Sequence, residues 1–250
     1  MAGMNDDEEQ PASGAASGPE GFVSLGDERA VVDVVSRSIL GLWHVVNDLT
    51  RLRPARRKNY RVTIFGSARV ERDHWVYAAV RDVAAELTRL GCDIVTGGGP
   101  GLMQAANEGA RIGDPQAKSL GIRVELPFEQ EINTFVEQAY EHGTFFTRLH
   151  HFALVSDAFV VVPGGIGTLL ELSLIWQLLQ VRKLHDTPLI VAGTMWAELV
   201  DWARRYLLRS DFPLASPEDL AIPRCVDDGA GILAIIREHH AAWKKRQREG

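Results

Sequence analysis

Two glycine-rich turns hold the residues of this chain best suited to chemistry. The first reads Thr96-Gly97-Gly98-Gly99-Pro100-Gly101-Leu102-Met103 and the second Pro163-Gly164-Gly165-Ile166-Gly167-Thr168. Each follows a short apolar run and opens a helical pattern. At such a junction unpaired backbone N–H groups and the positive end of the helix dipole form an anion site. Glycine lets the chain turn sharply and lets a phosphate come close. Two loops of this kind at the carboxyl ends of parallel strands converge on one crevice. A third turn, Gly66-Ser67-Ala68-Arg69, ends an earlier strand and lines the same edge, with Ser67 and Arg69 as polar contacts. The plainer alternative is that small residues only permit tight strand-to-helix turns.

Two charged residues stand near these loops. Glu171 falls in the first turn of the helix launched by the second loop, where a carboxylate can act on a bound nucleotide. Thr168-Leu169-Leu170-Glu171 also fits the capping box S/T-x-x-E, in which the Glu serves the helix end instead. Arg148, in Phe145-Phe146-Thr147-Arg148-Leu149-His150-His151, is either a salt-bridge partner or a planar fork that clamps phosphate or ribose. The dinucleotide fingerprint GxGxxG is missing after the first strand, and no GxxxxGK[ST] loop is present. His142, His150, His151 and His185 form no zinc spacing, so no metal is expected, and His150 and His151 are the better candidates for pocket lining.

These residues need a scaffold that brings distant turns to one edge. Strand signals at Arg61–Phe65, Asp93–Thr96, Leu120–Val124, Ala158–Val162 and Pro188–Val191 alternate with helical ones near His74–Leu90, from Leu102, over Thr147–Val155, from Thr168 to Val181 and after Met195. Short continuous apolar strands between helices predict an α/β, Rossmann-like three-layer sandwich: a central parallel sheet buried on both faces by helices. The expected divisions are a disordered, acidic, Ala/Gly/Ser-rich tail over 1–25, an amphipathic helix (Asp27–Leu49) with a basic linker over 26–58, the α/β domain over 59–240, and a solvated basic tail over 241–250.

Composition sets bounds on function. A chain of 250 residues suits one well-filled core with an extension. The apolar fraction is 46% with 24% charged residues, and no stretch approaches the roughly 18 apolar residues of a membrane span. A formal charge of -6 argues against nucleic acid as the main partner, because that binding depends on neutralising phosphates with Lys and Arg. Cys92 and Cys225 have no disulfide or metal spacing, and the N-terminus lacks the order of a signal peptide, so a cytoplasmic protein is expected.

Taken together, GGGxGLM at Gly97–Met103 and PGGxGTxxE at Pro163–Glu171 resemble the signature of the Lonely Guy (LOG) family. Gly66-Ser67-Ala68-Arg69 and Leu126-Pro127-Phe128-Glu129 are similar to its longer bacterial branch. The resemblance runs from about Arg61 to Val191. It implies a phosphoribohydrolase acting on cytokinin riboside 5′-monophosphates or AMP, with an essential Arg, matched by Arg148, and the Glu of the second motif, Glu171. Gly66, Ser67, Gly97, Gly98, Gly99, Gly101, Met103, Pro163, Gly164, Gly165, Gly167 and Thr168 would form the substrate and phosphate cradle. Two positions depart from the family: Leu149 stands where Lys is common, and Leu170 where a second acid often occurs.

The activity so implied needs no cofactor. Departure of a purine leaves positive charge on the ribose, which a carboxylate stabilises while it positions water. Many members carry an old label as lysine decarboxylases, but none of Lys58, Lys118, Lys183, Lys244 and Lys245 lies in a glycine loop to hold pyridoxal phosphate. The expected partner is a small nucleoside monophosphate, with neither nucleic acid nor membrane, and the resemblance implies a homodimer or larger homo-oligomer. The rival readings are a nucleotide or molybdenum-cofactor carrier on the same scaffold, and a nucleotide sensor acting through the N-terminal helix.

Overall fold

The computed structural model describes residues 24, 26–38, 58–125 and 132–249. The chain divides into two compact units, Met1–Pro54 and Ala55–Gly250. In the first, residues 28–38 form helix α1, where the Ala30 N–H donates to Asp27 Oδ1 at 3.1 Å as an N-terminal cap. Val32, Val34 and Val35 on this helix are exposed. The remainder of the helix expected over Asp27–Leu49, nearly all of the acidic tail, the basic run before Lys58 and Leu126-Pro127-Phe128-Glu129 lie outside the described residues.

The second unit contains, in order, β1 (Tyr60–Phe65), α2 (Trp75–Arg89), β2 (Cys92–Thr96), α3 (Leu102–Gly113), β3 (Ser119–Val124), β4 (Gln138–His142), α4 (Phe145–Val155), β5 (Ala158–Val161), α5 (Ile166–Gln180), β6 (Leu189–Ala192), α6 (Thr194–Leu207), α7 (Pro217–Leu220), β7 (Pro223–Val226) and α8 (Gly229–Glu249). One sheet takes all seven strands in the order β4-β3-β2-β1-β5-β6-β7, every pair parallel. The strand order reverses between β1 and β5, and in open α/β sheets ligands bind at the carboxyl ends beside such a switch point.

Alternation along the strands produces two cores. Val62 and Ile64 of β1, with Ala158 and Val160 of β5, meet α2, α3 and α8 through Val80, Leu102 and Ile232. Phe65, Phe159 and Val161 point the other way, against α4, α5 and α6 through Phe152, Leu172 and Trp196. Each such fully buried side chain contributes about 1.5–3 kcal/mol. The expected sandwich, with helices on both faces of a parallel sheet, is the fold observed.

Three local expectations are corrected. The sheet is wider than the five strands read from apolar runs, because β4 (QAYEH) and β7 (PRCV) carry mostly exposed or partly exposed residues at its two edges. α5 begins at Ile166 with Gly165 as its N-cap, so Thr168 caps nothing and Glu171 lies in the second turn. α8 runs unbroken through residue 240, and Trp243 packs edge-on against the buried Tyr60 with ring centroids 5.6 Å apart. That end of the chain is thus partly packed, although Lys244, Lys245, Arg246 and Arg248 remain exposed.

Candidate active site

The three turns meet at the carboxyl edge of β1, β2 and β5 and are tied by their own backbones. The Ser67 N–H donates to the Pro163 carbonyl at 3.0 Å, and the Ser67 carbonyl accepts from the Leu102 N–H at 2.8 Å. Gly66-Ser67-Ala68-Arg69 is therefore the hub joining both glycine loops. Gly101, the N-cap of α3, has φ 67°, and a Cβ there would come within 2.4 Å of the Ser67 carbonyl oxygen. That turn requires glycine.

The second loop is open. A Cβ on Gly165 or Gly167 would meet nothing within 4 Å, and α5 has no side-chain cap. The first N–H groups of the helix, at Ile166, Gly167 and Thr168, therefore have no partner within it and present an anion site. Thr168 itself is buried beneath the loop, where a Cβ on Gly164 would lie 2.2 Å from its Oγ1.

Arg148 and Glu171 come together beside these loops. α4 and α5 bring Arg148 Nη2 to 3.0 Å from Glu171 Oε1, with side-chain exposures of 12% and 9%. Arg148 Nε donates to the Ile122 carbonyl at 2.9 Å, and its guanidinium lies 5.1 Å from the Phe152 ring centroid. The side chain is held by three different elements. It also crosses the first loop: a Cβ on Gly97 would stand 2.6 Å from Arg148 Nη2 and 2.7 Å from Met103 Sδ. Glycine at 97 thus leaves room for the guanidinium.

Burial raises the Glu171 carboxyl from its ordinary value to about 7, although the charge and hydrogen bond of Arg148 pull it down. Loss of hydration costs the carboxylate more than one guanidinium returns. A carboxyl with this pKa suits general base chemistry near neutral pH. The capping-box alternative for Glu171 is overturned, since its carboxylate meets Arg148 rather than a helix end.

The histidines take separate places. His150 Nδ1 lies 2.8 Å from the Phe146 carbonyl in its own helix, and His151 Nδ1 pairs with His142 Nε2 at 2.9 Å. Burial, followed by the charges of His142 and Arg61, lowers His151 to about 4. His185 lies in the loop between α5 and β6, away from the glycine turns. Among the described residues no group of three or more His, Cys, Asp or Glu is placed to hold a metal.

Sequence reasoning missed the polar scaffold under the first loop. Buried Asn133 donates through Nδ2 to the carbonyls of Gly98 at 3.0 Å and Gly99 at 2.9 Å, and to Asn107 Oδ1 at 3.1 Å. Asn107 accepts from Thr96 Oγ1 at 2.7 Å and donates to Ser119 Oγ at 2.8 Å, while Thr96 Oγ1 accepts from the Gly98 N–H at 2.9 Å. The one signal for it was Asn107 itself, a polar residue on the buried stripe of α3 that must find partners.

Comparison with known proteins bears on the family and the fold. The pyrimidine/purine nucleotide 5′-monophosphate nucleosidase of Escherichia coli (strain K12) is 29% identical over 140 residues, which are 53% of this chain and 30% of that protein. The chain thus spans about a third of that relative's length. Two solved structures share the fold at a TM-score of 0.55. The molybdenum cofactor carrier protein of Chlamydomonas reinhardtii is 20% identical, covering 74% of this chain and 99% of that one. The molybdenum cofactor binding protein of Rippkaea orientalis is 16% identical, covering 74% and 98%. The family model described as possible lysine decarboxylase matches residues 103–236, from the end of the first glycine loop into α8, and this match makes the chain a member of the LOG family.

Proposed function

We propose that the protein hydrolyses the N-glycosidic bond of purine nucleoside 5′-monophosphates, of the AMP or cytokinin type, releasing the free base and ribose 5-phosphate. The observation that carries this reading is the buried Arg148–Glu171 pair, 3.0 Å apart, beside two loops suited to a phosphate. The open N–H groups of the second loop and the backbone of the first bind the 5′-phosphate. That binding orients the ribose instead of merely retaining it. As the bond to the base lengthens, the ribose gains oxocarbenium-like charge, which the Glu171 carboxylate stabilises. Water then adds at the anomeric carbon, giving a proton to Glu171 and a hydroxyl to the sugar, while the base leaves with the bonding electrons and takes up a proton from solvent, to which Glu171 returns its own. Arg148 aligns the ribose hydroxyls or phosphate and keeps Glu171 partly ionised.

Decarboxylation through a lysine Schiff base has no support from this site. Lys58 and Lys118 precede β1 and β3 at the opposite edge, Lys183 follows α5, and Lys244 and Lys245 lie on α8. We further propose a cytoplasmic enzyme that is at least a homodimer. No described helix is long and apolar enough to cross a membrane. Phe145, Phe146, Ile166 and Leu170, at the starts of α4 and α5, are exposed apolar side chains beside the site.

The test is product analysis after incubation with AMP, GMP, isopentenyladenosine monophosphate and UMP. Equimolar base and ribose 5-phosphate from the purine nucleotides, in excess over UMP, is the expected result. Tight nucleotide binding without release of base would overturn the reading in favour of a carrier or sensor.

A further inference from the structure

The edge of the sheet opposite the glycine loops, where β5, β6 and β7 begin, holds a cavity of about 500 Å³ that the proposed reaction does not use. Its charged walls come from the α5–β6 loop (Arg182, His185, Asp186), from β7 (Arg224) and from α8 (His239, Arg246). A second pocket of about 220 Å³ shares His185, Asp186, His239 and Arg246 with it and extends it toward Asp157.

In a chain of formal charge -6, three guanidinium groups here face a single carboxylate in the larger cavity. None of the guanidiniums of Arg182, Arg224 and Arg246 has an ion pair or hydrogen bond to a described residue. Arginines set around a concavity without carboxylate partners are positioned to take a ligand's anionic oxygens, since the planar fork binds such groups through two parallel hydrogen bonds.

The φ of 56° at Arg182 belongs to the C-terminal cap of α5, in which the Arg182 N–H donates to the Leu179 carbonyl at 3.0 Å and the Lys183 N–H to the Leu178 carbonyl at 2.8 Å, and this cap fixes where the α5–β6 loop starts. His239 Nδ1 is 2.6 Å from Tyr60 Oη, whose hydroxyl donates to the Asp157 carbonyl at 3.1 Å, so Nδ1–H donates to Tyr60. The other ring nitrogen, Nε2, is buried, and burial lowers the pKa of the ring, so the positive charge of the cavity comes from its arginines.

We propose that this cavity binds a small molecule carrying two or more phosphoryl groups, held by Arg182, Arg224 and Arg246. The volume falls within the ordinary range for small-molecule sites, about 300–1,000 Å³. Arginines from three separate elements offer more than one monophosphate needs. A local, open pocket on an acidic chain, rather than a basic stripe, argues for a small ligand over a nucleic-acid strand.

The probe is inorganic triphosphate, titrated calorimetrically into the full chain, with orthophosphate as the comparison. Triphosphate should bind one site per chain at least about tenfold more tightly than orthophosphate. The Arg224→Ala/Arg246→Ala double variant should weaken it about 30-fold or more, because charge-assisted hydrogen bonds are lost. Arg182→Ala, on a different element, should weaken it about tenfold, and Arg148→Ala should leave it unchanged. Arg182, Arg224 and Arg246 are exposed, and unfolding temperatures verify that the variants fold. Undiminished binding in the double variant would overturn the proposal, as would loss in Arg148→Ala alone, which places the anion in the glycine loops. Equal affinity for a 20-nucleotide single strand with the same arginine dependence would also overturn it, by marking a general polyanion surface.

Discussion

Glu171 is nearly enclosed by α4 and α5, and its charge depends on one guanidinium. Its carboxyl is raised to about 7, so the ionised form grows as pH rises through that value. If the carboxylate is the working form, kcat/KM falls as pH drops below about 7 and is level above it. A pH–rate profile without an acid limb near 7 would contradict that role. Arg148 is what pulls the group down, so Arg148→Ala should move the residual acid limb to higher pH while weakening substrate binding and lowering the rate. An unchanged profile and wild-type kinetics would remove Arg148 from the site. Gly97→Ala tests the same contact sterically, because the new Cβ falls 2.6 Å from Arg148 Nη2. Displacing the guanidinium by even about 1 Å should cost roughly 100-fold in kcat/KM, with far-ultraviolet circular dichroism unchanged.

At the scale of elements, what was legible in the sequence was what local order encodes. The five inner strands read as apolar runs because they are buried on both faces, and the glycine turns read because backbone geometry demands their residue type. β4 did not, since an edge strand of Gln, Ala, Tyr, Glu and His carries no apolar run. The capping motif at Thr168 misled because its meaning depends on which residue begins the helix, and Gly165 takes that place. The network of Thr96, Asn107, Ser119 and Asn133 was out of reach because its partners meet only after α3 docks on β2 and β3. That network sets the height of the first loop. Asn107→Leu should lower stability by about 1–3 kcal/mol, the cost of leaving buried partners unsatisfied. It should also raise KM more than it lowers kcat, as the loop amides lose their alignment. Denaturant unfolding together with steady-state kinetics tests both parts, and a variant with unchanged KM would make the network structural only.

For the whole molecule, the parallel sheet with its order reversal between β1 and β5 accounts for why turns a hundred residues apart share one edge. Exposed apolar side chains at the starts of α4 and α5 stand beside that edge, and exposed apolar surface next to a site invites a second copy. Sedimentation velocity at micromolar concentration should show a dimer or larger species, and a monomer would contradict the proposed assembly.

In the proposed reaction Glu171 is the group that acts on the ribose. The most direct measurement compares adenine release from AMP by the native protein and by Glu171→Gln, with AMP binding measured on both. The prediction is release by the native protein, a loss of about 100-fold or more in the variant, and affinity for AMP changed only slightly. Native-level release by the variant would contradict the account.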